Sequence, residues 1–124
     1  MPGKTLEAQV RHLQDYSIID LKGDINSFAV EILNNVFAEA SGQSTGAVLL
    51  NFSEVEYINS TGIALIVGLM SKARQNNQRL VTFGLSDHYV SIFNITRLSD
   101  FIGLYPDEAS ALNGVKQEAV IKGN

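Results

Sequence analysis

The sequence predicts an α/β protein. Its expected core is a single mixed, largely parallel sheet of four to five strands, opened by an N-terminal hairpin and carrying four to five helices. Three observations support this. Leu6, Ala8 and Val10 alternate with Glu7, Gln9 and Arg11, the period of a half-buried strand. Ala47 to Phe52 is an apolar run typical of a strand buried on both faces, as in a parallel sheet. Strand and helix patterns then alternate, which implies right-handed crossovers between parallel strands.

The elements follow in order. The alternation from Leu6 to Leu13 is the first strand, Gln14-Asp15-Tyr16 a turn, and Ser17-Ile18-Ile19-Asp20-Leu21 the second strand, ended by Lys22-Gly23-Asp24. Asn26 or Ser27 can cap a helix. Phe28, Val30, Ile32, Leu33, Val36, Phe37 and Ala40 then recur at helical spacing and predict an amphipathic helix of roughly four turns. Ser41 to Gly46 is a polar loop, Ala47 to Phe52 the third strand, and the residues after it a polar turn.

The next helix runs from Ser60 or Thr61 to Gln75. Ile63, Ile66, Val67 and Met70 mark one face. Leu65 and Leu69 mark another, more apolar surface than packing on a sheet requires. Lys72 and Arg74 complement the dipole at its C-terminal end. Leu80 to Leu85 is a strand. Ser86 can cap a short helix, Asp87 to about Asn94, with Val90, Ile92 and Phe93 inward. Leu98, Phe101 and Ile102 predict a further short buried turn, and Leu104-Tyr105 a last strand. Pro106-Asp107-Glu108 starts a final helix, with Ala109, Ala111, Leu112 and Val115 on its apolar side.

A chain of 124 residues predicts one domain spanning residues 1–124, with a core from about 6 to 115 and a flexible tail over 116–124. The net charge of −4, with scattered basic residues, speaks against a nucleic-acid partner. There is no cysteine, which excludes a disulfide scaffold, a thiolate metal site and a cysteine nucleophile. The N-terminus has no apolar signal core, and the longest apolar run, Ile63 to Met70, is far short of the ~20 residues that span a bilayer. The expectation is a cytoplasmic chain with no membrane partner. Self-association into a weak homodimer stays open.

No catalytic constellation is visible, so the chain is not expected to be an enzyme. His12 and His88 lie far apart, with no His or Glu at ligand spacing, so no metal site is expected. There is no Gly-x-Ser-x-Gly elbow and no Gly-Lys-Ser/Thr phosphate loop, and no cofactor is expected. Asp20, Asp24, Glu54 and Glu56 fall near strand ends, where carboxylates are ordinarily just solvated.

The stretch that carries function is Asn59-Ser60-Thr61-Gly62. It reads as a helix cap, with Asn or Ser accepting a free backbone N–H. It also matches an Asn-x-Ser/Thr glycosylation sequon, which would need a secreted chain. A third reading is that Ser60 is presented at a helix N-terminus, where free N–H groups and the dipole tolerate a phosphoryl group. Capping and phosphorylation are compatible.

In its context this motif resembles the STAS domain of the bacterial anti-sigma factor antagonists. The matching residues are Val48 to Phe52, then Tyr57-Ile58-Asn59-Ser60-Thr61-Gly62-Ile63. The likeness extends from about Leu6 to Val115 through Leu21-Lys22-Gly23-Asp24, Leu80 to Leu85, Val90-Ser91-Ile92-Phe93 and Ile95-Thr96-Arg97-Leu98. The resemblance implies the STAS fold and partner switching. The unphosphorylated domain would bind an anti-sigma factor that is also a GHKL-type serine kinase, and so free the sigma factor. Phosphorylation of Ser60 would end binding, and a PP2C-type phosphatase would restore it. Thr61 would be a neighbour and not the acceptor.

The implied docking residues are Asn59, Ser60, Thr61, Gly62, Asp24, Asn26 and Leu65, with Leu69 a further candidate. Two positions depart from the family pattern. Asn59 stands where an Asp usually precedes the serine, and Asn26 stands where an acidic residue is often found. The alternatives are a STAS scaffold or regulatory subunit of a stressosome-like, other phospho-signalling or transporter assembly, and, in another class, a small enzyme or nucleotide-binding protein.

Overall fold

β-Branched and aromatic runs separated by helical patterns leave this chain one economical arrangement, a sheet with helices on both faces. The computed structural model, which describes residues 4–44 and 46–122, with side chains as far as Glu118, has that form. Strands β1 (Glu7–His12), β2 (Tyr16–Ile25), β3 (Ala47–Ile58), β4 (Arg79–Phe83) and β5 (Gly103–Tyr105) lie in the order β1-β2-β3-β4-β5. Only the β1–β2 pair, the expected hairpin, is antiparallel, and the other three pairs are parallel. Helices α1 (Val30–Gly42), α2 (Ser60–Gln75), α3 (Asp87–Ile95) and α4 (Glu108–Lys122) complete the fold, with 3-10 turns at Ser27–Ala29 and Leu98–Asp100.

The apolar run of β3 is buried on both faces, as its pattern predicts. Val48, Leu50 and Phe52 join Ile19, Leu21 and Leu80 in a core with Leu33 and Phe37 of α1, Ile66 of α2 and Phe93 of α3. Ala47 and Leu49 join Ile18, Val81 and Phe83 on the opposite face, against Ala111 and Val115 of α4. Three helices therefore cover one face and α4 the other.

Several expectations are corrected. Lys22-Gly23-Asp24 does not end β2. Gly23 adopts φ +112°, which favours glycine, and a Cβ there would lie 2.6 Å from the Thr5 carbonyl oxygen. The strand thus continues to Ile25. That continuation supplies a ladder for Glu54 to Ile58, so the expected polar turn is instead the second half of β3, with two register shifts against β2. Phe28 and Val30 do not join the buried stripe of α1. Asn26 caps a 3-10 turn, its side chain accepting the Phe28 N–H at 2.9 Å, and the change of helical phase turns Phe28 outward. Phe28 is 92% exposed.

Phe101, expected in the core, is also largely exposed and lies under the Arg74 guanidinium, 5.6 Å from its ring centre. Pro106 precedes the last helix, and Asp107 caps it by accepting the Ser110 N–H at 2.8 Å. The segment from Lys116, expected to be a flexible tail, continues α4 to Lys122, with Arg79 and Glu118 in an ion pair at 2.9 Å. Thr45 of the polar loop and the last two residues of the expected tail lie outside the described residues.

Candidate functional site

The site lies at the C-terminal ends of β2 and β3. Of the two cap candidates, Asn59 and Ser60, Asn59 is the cap, and α2 runs from Ser60: the Asn59 backbone is extended, and its side-chain oxygen accepts the Gly62 N–H at 2.8 Å. The Asn59 N–H itself donates to the Ile25 carbonyl at 3.2 Å. Of the donors that a helix start leaves over, these two are satisfied, and those of Ser60 and Thr61 remain in the first turn. Both hydroxyl side chains are exposed.

Close backbone contacts make this end stiff. Gly62 is buried, and a Cβ there would run into the Ile25 carbonyl oxygen and come within 2.9 Å of the Ile58 side chain. The start of α2 therefore rests directly on the end of β2. Behind it, the buried Tyr89 hydroxyl oxygen accepts the Ile58 N–H at 2.7 Å, tying α3 to the residue just before the cap. Tyr89 was not among the residues that the sequence pattern singles out. The signal was there: Tyr89 precedes Phe93 by one helical turn, and both turn inward.

The other implied docking residues divide. Asn26 caps the neighbouring 3-10 turn and is half-buried. Asp24 is only 3% exposed, and its carboxylate accepts the Lys4 backbone N–H at 3.2 Å while its own N–H donates to the Lys4 carbonyl at 3.1 Å. It fastens the N-terminal segment beside the site. Leu65 is half-buried against the core. Leu69, a further candidate for docking, is 1% exposed and is a core residue. The apolar excess of α2 therefore goes largely into the fold, because α2 packs on β2, β3 and β4 and against α1.

The carboxylates expected near strand ends do not converge, and Asp20 lies in mid-strand. Glu56 pairs with Lys4 at 2.8 Å, Glu54 with Lys22 at 4.0 Å, and Asp20 with Arg11 at 2.6 Å. Among the described residues no three His, Cys, Asp or Glu side chains form a metal-holding group. Nor is any described helix long and apolar enough to cross a membrane. His12 lies near Ser17 and Glu39, and His88 is edge-on to Tyr89. What the arrangement offers is a rigid, solvent-facing helix start bearing two hydroxyls.

Comparison with known proteins agrees with this geometry. The family model for the STAS domain matches residues 7–111. The anti-sigma-B factor antagonist of Listeria monocytogenes is 36% identical over 89 residues, covering 71% of this chain and 77% of that protein. That of Staphylococcus epidermidis is 30% identical over 88 residues, covering 71% and 82%. Among solved structures, an anti-sigma factor antagonist from Mycobacterium paratuberculosis superposes with a TM-score of 0.73 at 20% identity, over 90% of this chain and 95% of that one. The Bacillus protein SpoIIAA in its phosphorylated form gives 0.63 at 18% identity, over 95% and 100%. The sheet order and the helices on its two faces thus have their counterpart in one family, and, with the family model matching most of its length, this chain is a member of the STAS domain family.

Proposed function

We propose that this chain is an anti-sigma factor antagonist, a binding protein and not an enzyme, switched by phosphorylation of Ser60. The unphosphorylated form binds an anti-sigma factor that is also a GHKL-type serine kinase and thereby releases the sigma factor. The kinase transfers the ATP γ-phosphoryl group to the Ser60 hydroxyl, and a PP2C-type phosphatase removes it, all in the cytoplasm. The observation that carries this reading is the exposed Ser60 hydroxyl on the first turn of a helix whose start is held rigidly by Asn59, Gly62 and Ile25. The relatives named above act, by their names, on an anti-sigma-B factor.

The physics of the switch is local. A phosphate adds about −1.5 to −2 charges at pH 7. In a closed interface it must be stripped of water, and a loss of about 3 kcal/mol weakens a complex more than a hundredfold. No movement of the fold is needed, since Ser60 is exposed and its neighbours are locked. Asn59 carries no charge, so the acceptor turn has no acidic residue.

The test uses the kinase, ATP and mass spectrometry. One added phosphate is expected, abolished by Ser60→Ala and retained by Thr61→Ala. A phosphate on Thr61 would refute the assignment. Ser60→Asp should lower affinity for the kinase at unchanged thermal stability, and equal affinity would refute the electrostatic switch.

A further inference from the structure

Three large apolar side chains are exposed around the junction of β2 and α2: Phe28, Val30 and Tyr57. Phe28 is the extreme case. The Asn26 cap fixes its backbone, and the Ile25 carbonyl just before that cap is the same atom that receives the Asn59 N–H. Gly62 closes on the same carbonyl. The turn that carries Phe28 and the helix start that carries Ser60 therefore meet as one rigid unit. Tyr57 lies opposite Asp24 in the β2–β3 ladder, on the same end of the sheet.

Beside Phe28 runs a groove of about 420 Å³ between the N-terminal segment and the start of α1. Leu6, Ala29 and Ile32 are its apolar lining, beside Thr5, Asn26 and Glu31. The Lys4 ammonium at its rim is already paired with Glu56. An exposed ring at the edge of a partly apolar groove suits an apolar side chain from outside: aromatic anchors dominate binding energy at protein interfaces.

We propose that Phe28 is the anchor by which this chain holds its anti-sigma factor, its ring and the Leu6–Ala29–Ile32 groove enclosing an apolar side chain of that partner. This rests on the reading of the Ser60 end as the docking face. It adds a source of affinity that phosphorylation does not alter directly. Ser60 then sets whether the complex forms, and Phe28 sets how tightly.

The experiment is calorimetric titration of the purified anti-sigma factor of the same organism with wild type, Phe28→Ala, Ile95→Ala and Ser60→Asp. Ile95, at the end of α3, is 80% exposed and serves as an apolar control away from the groove. Phe28→Ala should weaken binding about 30-fold, the loss expected of an interface hot spot. Ile95→Ala should stay within about twofold, as a residue outside the interface does. A Phe28→Ala affinity within about twofold of wild type overturns the anchor. So does an equal loss in Ile95→Ala, which would mark general apolar stickiness. If Ser60→Asp binds as wild type while Phe28→Ala fails, the switch falls and the anchor stands. No binding by wild type removes the partner and the anchor together.

Discussion

The two ends of the parallel strands are built from the same kinds of residue and use them in opposite ways. At the N-terminal end, Ser17, Ser41, Ser44 and Gln78 are buried and bonded to one another. The Ser41 hydroxyl donates to the Gln78 side-chain oxygen at 2.6 Å, and the Gln78 amide nitrogen donates to the Ser41 and Ser44 carbonyls at 2.9 and 2.8 Å. The Asn76 amide donates to the Ser41 hydroxyl at 2.8 Å, and the Ser44 hydroxyl lies 2.7 Å from both the Ser17 hydroxyl and the Ala40 carbonyl. At the C-terminal end, Asn59 spends its side chain on the cap, and Ser60 and Thr61 face solvent. Polar residues therefore do not mark a site by being present. They mark it where the fold leaves them unspent while holding their backbone still.

This contrast can be broken from either end. The largest effect is expected for Gly62→Ala, whose methyl group enters the Ile25 carbonyl. A loss of about 3 kcal/mol is expected, the scale of overpacking in a rigid place, read as a lower midpoint in urea. Wild-type stability in that variant would show that the start of α2 is not locked on β2. Next is Gln78→Ala, which removes the side-chain donor to the Ser41 and Ser44 carbonyls and the acceptor of the Ser41 hydroxyl. It should cost about 2 kcal/mol by the same measurement, with the rate of Ser60 phosphorylation unchanged. A changed rate would mean that the two ends are coupled.

Asn59→Ala removes the cap and should cost about 1 kcal/mol, while Asn59→Asp should hold stability because both residues cap well. Equal loss in the two variants would take the cap out of the account. The smallest effect concerns Asp20, in the middle of β2 and therefore at neither end. Burial pushes its carboxyl up, but hydrogen bonds from Arg11 and Asn51 and the Arg11 charge outweigh this and leave it below the usual carboxylate value. A lowered folded-state value means that the unfolded chain takes up the proton first. The stabilisation is full above about pH 4 and is lost as pH falls through the folded-state value. Solvent screening keeps it below about 1 kcal/mol. Acid unfolding curves of Asp20→Asn should be flatter than wild type in that window, and identical slopes would exclude the contribution.

Much of the fold was legible in the residues. The hairpin, the doubly buried run Ala47 to Phe52 and the order of strands and helices all follow from patterns a few residues long. The helix start at Asn59-Ser60-Thr61-Gly62 was equally legible, because capping is settled within four residues. What physical chemistry left open there was the choice between Ser60 and Thr61, which lie on the same exposed turn. The preference for Ser60 came from the family resemblance.

The rest depended on partners distant in the chain. Glu54 to Tyr57 look like a polar turn, and they became strand because β2, passing Gly23 in a left-handed conformation, offered them a ladder. Leu69 looked as free as Leu65, and it was buried because α2 packs on the sheet and against α1. Asp24 looked like a surface carboxylate, and it was buried by the returning N-terminal segment. Phe28 sat in phase with a buried stripe, and one 3-10 turn set it outside. By itself, then, the sequence determined which elements form and where α2 begins, since those rest on local periodicity and local hydrogen bonds. Only the tertiary structure decided which side chains remain exposed at this end of the sheet, because burial is a property of what packs alongside.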